Sequence, residues 1–312
     1  MSEILAITCP GGKQCSRLIP LLYNKGKFKL RLAAHSDASA EKLRVQYPDA
    51  EVVHTDLQSL SSCSELLRGV TAINAVLPSL HSREKEMGFN LIDAAVAESK
   101  REGNVFKHFV FSSVLSTQHR LLLHHDLKSY VEERLFLSSL TGWTILKPVN
   151  FMDTFPLATL AAQETPVLNK WWSPHYASSL VSLKDLAEVS AKVLNEGEKH
   201  YLAEYPLCST LPTKETEVVA LVEQRIGKKI EVKVPDLEGG SDRLMKFLYG
   251  GGPDEGSKGD LRGDLVRDTV ERLILYYNAR GLQGSPNVMR WLLEREPTSV
   301  QQWIEDVLGK TN

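Results

Sequence analysis

The sequence predicts an α/β fold with a doubly wound parallel sheet, followed by a smaller C-terminal α+β lobe. Two observations predict this fold. Short apolar runs alternate with helical patterns along the first half of the 312-residue chain. The helical stretches are long enough for parallel crossovers, which need about a dozen residues. A third observation is the turn Pro10-Gly11-Gly12, which ends the first apolar run. Together these features predict a Rossmann-type domain.

Strands of the first half are predicted where apolar and β-branched residues cluster, and helices where leucines recur at three- or four-residue spacing. The predicted strands are Ile4–Thr8, Phe28–Ala34, Glu51–His54, Val70–Leu77, Phe106–Phe111 and Trp143–Leu146. The predicted helices are Lys13–Tyr23, Ala38–Tyr47, Ser61–Arg68, Glu84–Ser99 and His125–Leu137. A ligand is expected at the carboxyl ends of these strands, near the point where the strand order reverses.

The pattern becomes irregular after about residue 150. We therefore predict a Rossmann domain over 1–150 and a smaller substrate-binding lobe with a helical tail over 151–312, with some segments returning to the main sheet. The predicted elements are strands Ser178–Ser182, Tyr201–Leu207 and Lys229–Val234, and helices Leu183–Asn195, Glu215–Ile226, Leu265–Ala279, Asn287–Arg295 and Val300–Leu308. Thr298 and Gln301 predict a capping box. The glycine-rich segment Tyr249–Asp264 predicts a connector, or alternatively a lid.

Composition excludes several function classes. The net charge of −2 argues against a general nucleic-acid binder, which needs a basic excess. No apolar run approaches the ~20 residues of a membrane helix, and the N-terminus predicts a strand and not a signal peptide. A cytoplasmic protein is expected, or a nuclear one if it is a regulator. The four cysteines form no CxxC pair and predict free thiols. No cluster has zinc-ligand spacing, so no metal is expected.

The loop after the first strand is the main candidate for cofactor binding. A Rossmann loop needs a tight turn, close approach to the diphosphate, and close packing of helix on strand, and glycine usually serves all three. Here Gly12 holds the middle position, whereas Cys9 and Cys15 hold the outer two. Free amides at the start of the next helix suit a phosphate. Residues Gly11, Gly12, Lys13 and Gln14 are the predicted diphosphate contacts. A loop without a ligand is the alternative.

The end of the second strand bears on the choice of cofactor. A carboxylate there would hold the ribose hydroxyls of NAD, but this chain has His35 followed by Ser36. A neutral or partly cationic group tolerates a 2′-phosphate better, so NADP (NADPH) is favoured over NAD. A surface loop without a ligand is again the alternative.

Several segments, in this order, carry a family resemblance. They are the loop, Val53-His54-Thr55-Asp56-Leu57, Asn90-Leu91-Ile92-Asp93-Ala94-Ala95, His108-Phe109-Val110-Phe111-Ser112-Ser113, His124-His125-Asp126-Leu127-Lys128, Val131-Glu132, Trp143-Thr144-Ile145-Leu146-Lys147-Pro148 and Phe151-Met152. Over about residues 3–240 the chain resembles the NmrA-like family of atypical short-chain dehydrogenases/reductases, and in particular its fungal members. The resemblance implies a Rossmann domain that binds NADP or NAD, with substrate held between it and a C-terminal lobe.

Positions carried over from the family define the rest of the expected cofactor site. Gly12 and Gln14 would contact the diphosphate, and His35 would lie at the 2′-phosphate. Asp56-Leu57 would lie beside adenine, and Pro78 near the ribose and nicotinamide. The family normally has glycine at the positions of Cys9 and Cys15, and often arginine at that of His35. These departures bear on affinity and on NADP preference.

The candidate catalytic residues come from the helix after the fifth strand. Short-chain dehydrogenases use Tyr-x-x-x-Lys, and the matching segment here is His124-x-x-x-Lys128, which lacks the tyrosine. By resemblance to the short-chain dehydrogenases, Lys128 would hold the cofactor ribose. By resemblance to the ether-reductase branch, it would donate a proton or orient the group that does. His124 or His125 could be the acid instead, since imidazole titrates near neutral pH. The alternative is an exposed helix lysine behind a polar helix start.

The sequence allows alternative interpretations of the substrate contacts and of the overall function. Ser113 could hold a substrate carbonyl, and Phe151, Met152 and Trp171 could line an apolar pocket, although packing in a hydrophobic core explains the aromatic residues equally well. The leading hypothesis is an NADPH-dependent reductase of a small apolar carbonyl or enone-like metabolite. A dinucleotide-sensing regulator that binds a protein partner is the second, and a cofactor-independent isomerase or cyclase the third. A homodimer is also possible.

Overall fold

The computed structural model describes residues 3–249 and 263–309. Its first half alternates strands and helices, and every element predicted there is present, with ends shifted by a few residues. The elements are β1 (Glu3–Ile7), α1 (Lys13–Leu22), β2 (Phe28–Ala34), α2 (Asp37–Gln46), β3 (Glu51–His54), α3 (Leu60–Leu67), β4 (Ala72–Val76), α4 (Glu84–Lys100), β5 (His108–Ser112), α5 (Leu123–Phe136) and β6 (Trp143–Pro148).

The second half contains shorter strands and more helices. Its elements are β7 (Asn150–Phe151), α6 (Leu157–Ala162), β8 (Val167–Asn169), β9 (Ala177–Ser178), β10 (Leu180–Val181), α7 (Leu183–Glu196), β11 (Ala203–Leu207), β12 (Thr213–Lys214), α8 (Glu215–Ile226), β13 (Glu231–Lys233), α9 (Leu237–Tyr249), α10 (Gly263–Ala279), α11 (Asn287–Leu293) and α12 (Val300–Leu308), with 3₁₀ helices at Met152–Thr154 and Gly197–His200. The predicted strand Ser178–Ser182 is split into β9 and β10. Most of the segment Tyr249–Asp264 lies outside the described residues.

Seven strands form the central sheet in the order β11-β6-β5-β4-β1-β2-β3. The pairings of β1 with β2 and with β4 are both parallel, as are those of β2 with β3, β4 with β5 and β5 with β6. The strand order reverses between β1 and β4. This topology confirms the predicted Rossmann-type doubly wound α/β fold, and it places the β1–α1 loop at the switch point where ligands bind in such sheets.

Helices α4 and α5 approach each other closely at Gly88. The main hydrophobic cluster includes Leu91 and Ile92 of α4 with Val131 and Leu135 of α5. A Cβ built on Gly88 of α4 would lie only 2.5 Å from Cγ2 of Val131. Since any larger residue at position 88 would collide with α5, this glycine permits the close approach of the two helices.

The chain divides into two compact units. The first comprises residues 1–120, 124–147 and 186–205, and it contains most of the central sheet. The second comprises residues 121–123, 148–185 and 206–312. It contains three two-stranded sheets, formed by β7 with β10, β9 with β12, and β8 with β13.

A buried carboxylate anchors the C-terminal part of the second unit. Asp185 is fully buried and accepts hydrogen bonds from the Ser209 hydroxyl (2.7 Å) and from both the amide (2.7 Å) and the hydroxyl (2.8 Å) of Thr298. The capping box of α12 is formed by Ser299 and Gln302. The predicted pair Thr298 and Gln301 is therefore wrong by one residue, because the Thr298 hydroxyl is used by Asp185.

Candidate functional site

The β1–α1 loop begins at a tight junction between β1 and β4. The Thr8 hydroxyl donates to the Val76 carbonyl (2.6 Å) and accepts from the Val76 amide (2.8 Å), which joins the carboxyl ends of the two strands. Cys9 follows with φ of 48°, in the left-handed region that favours glycine. The Gly12 amide then donates to the Cys9 carbonyl (2.9 Å) and closes the turn. The conformation of Cys9 thus explains physically why a glycine is expected there.

The turn leads into an open helix N-terminus. A Cβ built on Gly12 would lie 3.1 Å from the Cys9 carbonyl oxygen, whereas one built on Gly11 would meet nothing within 4 Å. No side chain caps α1, and its first turn contains no acidic residue. Lys13 is exposed beside it. Unsatisfied amides and the positive end of the helix dipole favour an anion at this position, so the loop fits a diphosphate.

The third loop position is filled by a buried thiol. Cys15 lies on the buried face of α1, where its Sγ donates to the Thr8 carbonyl (3.4 Å) and accepts from Asn74 Nδ2 (3.8 Å). Burial raises the pKa of this thiol well above its usual range. Beside it, Gln14 Oε1 accepts a hydrogen bond from the Ser112 hydroxyl at the end of β5 (2.7 Å). Cysteine is small enough here for α1 to pack on the strands.

The end of β2 carries the two residues expected near a 2′-phosphate. His35 is exposed directly after the strand. Ser36 is the N-cap of α2, and its hydroxyl accepts from the Ser39 amide (3.3 Å) in a capping box. A phosphate at this position would therefore meet an exposed imidazole and the start of a second helix.

The residues expected around adenine and the nicotinamide ribose follow the next two strands of the sheet. The Asp56 carboxylate is exposed and accepts from the Gln58 amide (2.9 Å). Leu57 packs against the main hydrophobic cluster, and its carbonyl accepts from Asn90 Nδ2 (3.0 Å). Pro78 is half-buried, two residues after the end of β4. Asp56, Leu57 and Pro78 therefore all lie at the carboxyl edge of the sheet.

Lys128 is buried and forms an ion pair. Its exposed fraction is 4%, and its Nζ contacts a carboxylate oxygen of Glu84, which is 0% exposed. The alternative that Lys128 is an exposed helix residue is therefore wrong. Burial lowers the pKa of Lys128 to about 8, against the opposing influence of Cys9 and Glu132, whose negative charges favour the ammonium.

The two histidines at the start of α5 are held neutral. Burial, together with the neighbouring His125, lowers the pKa of His124 to about 3, and burial lowers the pKa of His125 to about 4. His125 Nδ1 lies 2.9 Å from the Ser116 carbonyl. His124 Nδ1 and His125 Nε2 are buried without a hydrogen-bond partner among the described residues. Neither ring is an imidazolium at neutral pH, so neither is poised to donate a proton.

Acidification is expected to destabilise the protein as the pH falls from about 6.5 towards 4. In the folded state burial lowers the pKa of His108 and His124 to about 3 and that of His125 to about 4, from an ordinary value of 6.5. The unfolded chain therefore binds more protons in this window, and each histidine contributes up to about 1.4 kcal/mol per pH unit. Urea unfolding at pH 7, 6 and 5 measures this. His108→Gln should show a shallower pH dependence than the exposed control His175→Gln; equal slopes would contradict this explanation.

A second buried carboxylate, that of Glu132 on α5, binds several side chains near the end of β5. Glu132 accepts from the hydroxyls of Ser113 (2.5 Å) and Thr117 (2.9 Å) and pairs with Lys147 Nζ (3.0 Å). Lys147 also pairs with Glu204. The Ser113 hydroxyl, expected to hold a substrate, is thus already engaged in this network. Neither Glu84 nor Glu132 was identified from sequence as a site residue, although Glu132 lies one helical turn after Lys128, a spacing that could have indicated it.

The residues expected to bind an apolar substrate lie in the second unit. Met152 is buried in a cluster that includes Trp303. Trp171 packs against Trp172 (ring centroids 5.6 Å apart) and against the exposed Phe247 (5.0 Å). Phe151 is half-buried at the end of β7. The role of Phe151, Met152 and Trp171 in substrate binding stays a prediction.

Metal-binding groups and membrane-spanning helices were also sought among the described residues. Across 3–249 and 263–309, no three His, Cys, Asp or Glu side chains are grouped so that they could hold a metal ion. Within the same ranges, no helix has both the length and the apolar character needed to cross a membrane.

A comparison with protein families decides the relationship. The model of the NmrA-like family matches residues 1–238. The chain belongs to the NmrA-like family. This agrees with the resemblance carried by the sequence segments. Among curated protein sequences, none matches this NmrA-like chain.

Solved structures share the fold of this NmrA-like chain at low sequence identity. An NADPH-dependent quinone oxidoreductase from Escherichia coli, complexed with NADPH, is 17% identical with a TM-score of 0.74; the match covers 98% of this chain and 100% of that one. Triphenylmethane reductase from Citrobacter sp., complexed with NADP(H), is 16% identical with a TM-score of 0.73 and coverage of 98% and 99%. NmrA, a negative transcriptional regulator in complex with NADP, is 14% identical with a TM-score of 0.71 and coverage of 98% and 95%.

Proposed function

We propose that this NmrA-like protein binds NAD(P), with a preference for NADP, and is an NADPH-dependent reductase of a small apolar carbonyl or enone-like metabolite. The observation that carries the proposal is the uncapped N-terminus of α1 behind Gly11 and Gly12 at the switch point of the sheet. The solved structures with this fold that were obtained with NADPH or NADP support it.

The proposed cofactor contacts follow the carboxyl edge of the sheet. The loop residues Gly11, Gly12, Lys13 and Gln14 bind the diphosphate, because the amides at the start of a helix favour an anion and Lys13 adds a positive charge to the same loop. His35 and Ser36 receive the 2′-phosphate, Asp56 and Leu57 lie beside adenine, and Pro78 lies near the nicotinamide ribose. When bound, NADPH supplies the hydride.

Lys128 is the proposed proton donor, in preference to His124. A donor must be protonated near neutral pH, and its efficiency is greatest when its pKa lies near the working pH. The pKa of Lys128, lowered by burial to about 8, meets this requirement. The pKa of His124, lowered by burial to about 3, does not. The Lys128 ammonium would therefore protonate the substrate oxygen.

The direct test of the reductase proposal is consumption of NADPH with a panel of aromatic aldehydes, ketones, quinones and enones. Oxidation of NADPH by at least one compound, at a rate well above that of the protein-free mixture, is expected. Binding of NADPH without oxidation by any compound would exclude the reductase and leave the dinucleotide-binding part of the proposal standing.

Replacing His35 should reverse the cofactor preference. His35→Asp places a carboxylate where the 2′-phosphate is expected, so repulsion should weaken NADPH binding about tenfold or more, while a bond to the ribose hydroxyls favours NADH. Fluorescence titration with both cofactors measures this. The exposed His175→Asp is the matched control and should leave both affinities unchanged. An unaltered NADPH affinity in His35→Asp would place the 2′-phosphate elsewhere.

A regulator without turnover is the second candidate function. Its specific support is the pairing of the Lys128 ammonium with Glu84, together with the histidine that replaces the usual tyrosine at position 124. NmrA itself is a negative transcriptional regulator with this fold. In this case the protein would sense the dinucleotide and bind a protein partner. A partner whose affinity changes with NADPH would support it.

We also propose the finer properties that the sequence indicates. The protein is a fungal-type member, with residues 1–150 holding the cofactor and residues 151–312 contributing substrate contacts. It works in the cytoplasm, or in the nucleus if it is a regulator, and it does not bind nucleic acid directly. Size-exclusion chromatography with light scattering tests whether it forms a homodimer.

A further inference from the structure

The ion pair between Glu84 and Lys128 is isolated from water. Glu84 is the first residue of α4 and is 0% exposed, and Lys128 of α5 is 4% exposed. One carboxylate oxygen of Glu84 contacts Lys128 Nζ. The other, Oε2, is buried and has no hydrogen-bond partner among the described residues. Lys128 is therefore the group that compensates the charge of Glu84 in this part of the structure.

The pair is fixed by the packing of two helices. Gly88 lies one turn after Glu84, and Val131 lies almost one turn after Lys128. The close approach of α4 to α5 at Gly88 and Val131 leaves no room for a larger residue. Because side chains four residues apart share a helix face, the same approach brings Glu84 and Lys128 together.

Two other titratable side chains, Glu132 and Cys9, influence the charge of Lys128. Glu132, one turn later on α5, is shared by Ser113, Thr117 and Lys147. Cys9, in the β1–α1 loop, acts on Lys128 through its charge. Glu84 is thus the carboxylate in direct contact with the Lys128 amine, whereas Glu132 and Cys9 act on that amine through their charges.

We propose that Glu84 is a positioning residue that holds the Lys128 amine in place and keeps it protonated. The role of Glu84 in the ion pair does not depend on the proposed function, but its effect on catalysis rests on the proposed reductase. There, the Lys128 ammonium gives one proton to the substrate oxygen and becomes a neutral amine, and solvent returns the proton before the next turnover. Without the Glu84 charge, burial would strip Lys128 of its proton nearer to neutral pH.

The test is a titration of Lys128 by NMR, using the full chain with lysines labelled at Cε. The Lys128 signal is assigned by its absence from the double variant Lys128→Met/Glu84→Leu. In Glu84→Gln the titration midpoint should fall by about one pH unit or more, since an opposite charge in contact shifts a pKa by about 1–3 units. Glu86→Gln removes the same charge from an exposed position on the same helix turn and should leave the midpoint unchanged.

Two further readouts separate this inference from the proposed function. Glu84→Asp keeps the charge but shortens the side chain, so its midpoint should lie between those of the wild type and Glu84→Gln; if Glu84→Gln does not fold, a midpoint below wild type in Glu84→Asp is the expected result. An unchanged or raised midpoint in either variant overturns the inference. If the protein oxidises NADPH, the alkaline limb of kcat should shift by the same amount. Absence of turnover would refute the reductase but not the role of Glu84.

Discussion

Lys128→Met is expected to lower the free energy of unfolding by about 3–5 kcal/mol. The substitution removes the ammonium and leaves the Glu84 carboxylate buried without a counter-charge, on a residue that is 0% exposed. Desolvation of an unpaired charge is far more costly than the loss of one exposed ion pair. Urea denaturation followed by circular dichroism measures the effect.

The double variant Lys128→Met/Glu84→Leu provides the control for this prediction. Because both charges are removed and apolar side chains of similar volume replace them, its free energy of unfolding should return to within about 1.5 kcal/mol of the wild type. Arg134→Met breaks an exposed ion pair with Asp93 on the same two helices and should cost no more than about 1 kcal/mol. A loss in Lys128→Met as small as that of Arg134→Met would show that the pair is not buried.

Gly11→Leu is expected to weaken NADPH binding by about 100-fold or more, equivalent to about 2.7 kcal/mol, while leaving the fold stable. A Cβ at position 11 meets nothing within 4 Å, so the fold has room for the start of a side chain there. It would instead occupy the space in front of the α1 amides, where the diphosphate is proposed to lie. Fluorescence titration with NADPH and thermal unfolding measure the two effects.

The control for Gly11→Leu adds the same side chain at an exposed position of the second unit. Ala162→Leu, at the end of α6, should leave both NADPH affinity and the unfolding temperature close to those of the wild type. If Gly11→Leu unfolds at the wild-type temperature and still binds NADPH with wild-type affinity, the dinucleotide does not use this loop.

The central sheet could be predicted because its signals are local. Each strand of the first half is an apolar run of a few residues, and each crossover is an amphipathic helix, so periodicity alone separates them. Three short strands of the second half, β7, β8 and β12, escaped prediction for the opposite reason. Pairs such as β7 with β10 contain two residues each and depend on partners distant in sequence. The capping box at Ser299 was displaced by one residue because Thr298 is recruited by Asp185, a contact across more than a hundred residues.

The candidate site also has one part that local sequence predicts and one part that it does not. The loop from Cys9 to Cys15 could be located from glycine spacing, and the left-handed backbone of Cys9 agrees with that position. The environment of Lys128 could not be predicted, because its burial and its pairing with Glu84 arise from the packing of α4 on α5. The sequence alone does not show which polar residues of a helix are buried, or which two of them form a pair in the core.

Binding of NADPH to the unmodified protein tests the central claim most directly. The diphosphate is proposed to lie against the α1 amides behind Gly11 and Gly12, despite the thiols at positions 9 and 15. Nicotinamide fluorescence should therefore report saturable, one-to-one binding of NADPH. NADP should compete for the same site, and Gly11→Leu should weaken the binding. The absence of any saturable signal at millimolar NADPH, with the protein fully folded, would contradict it.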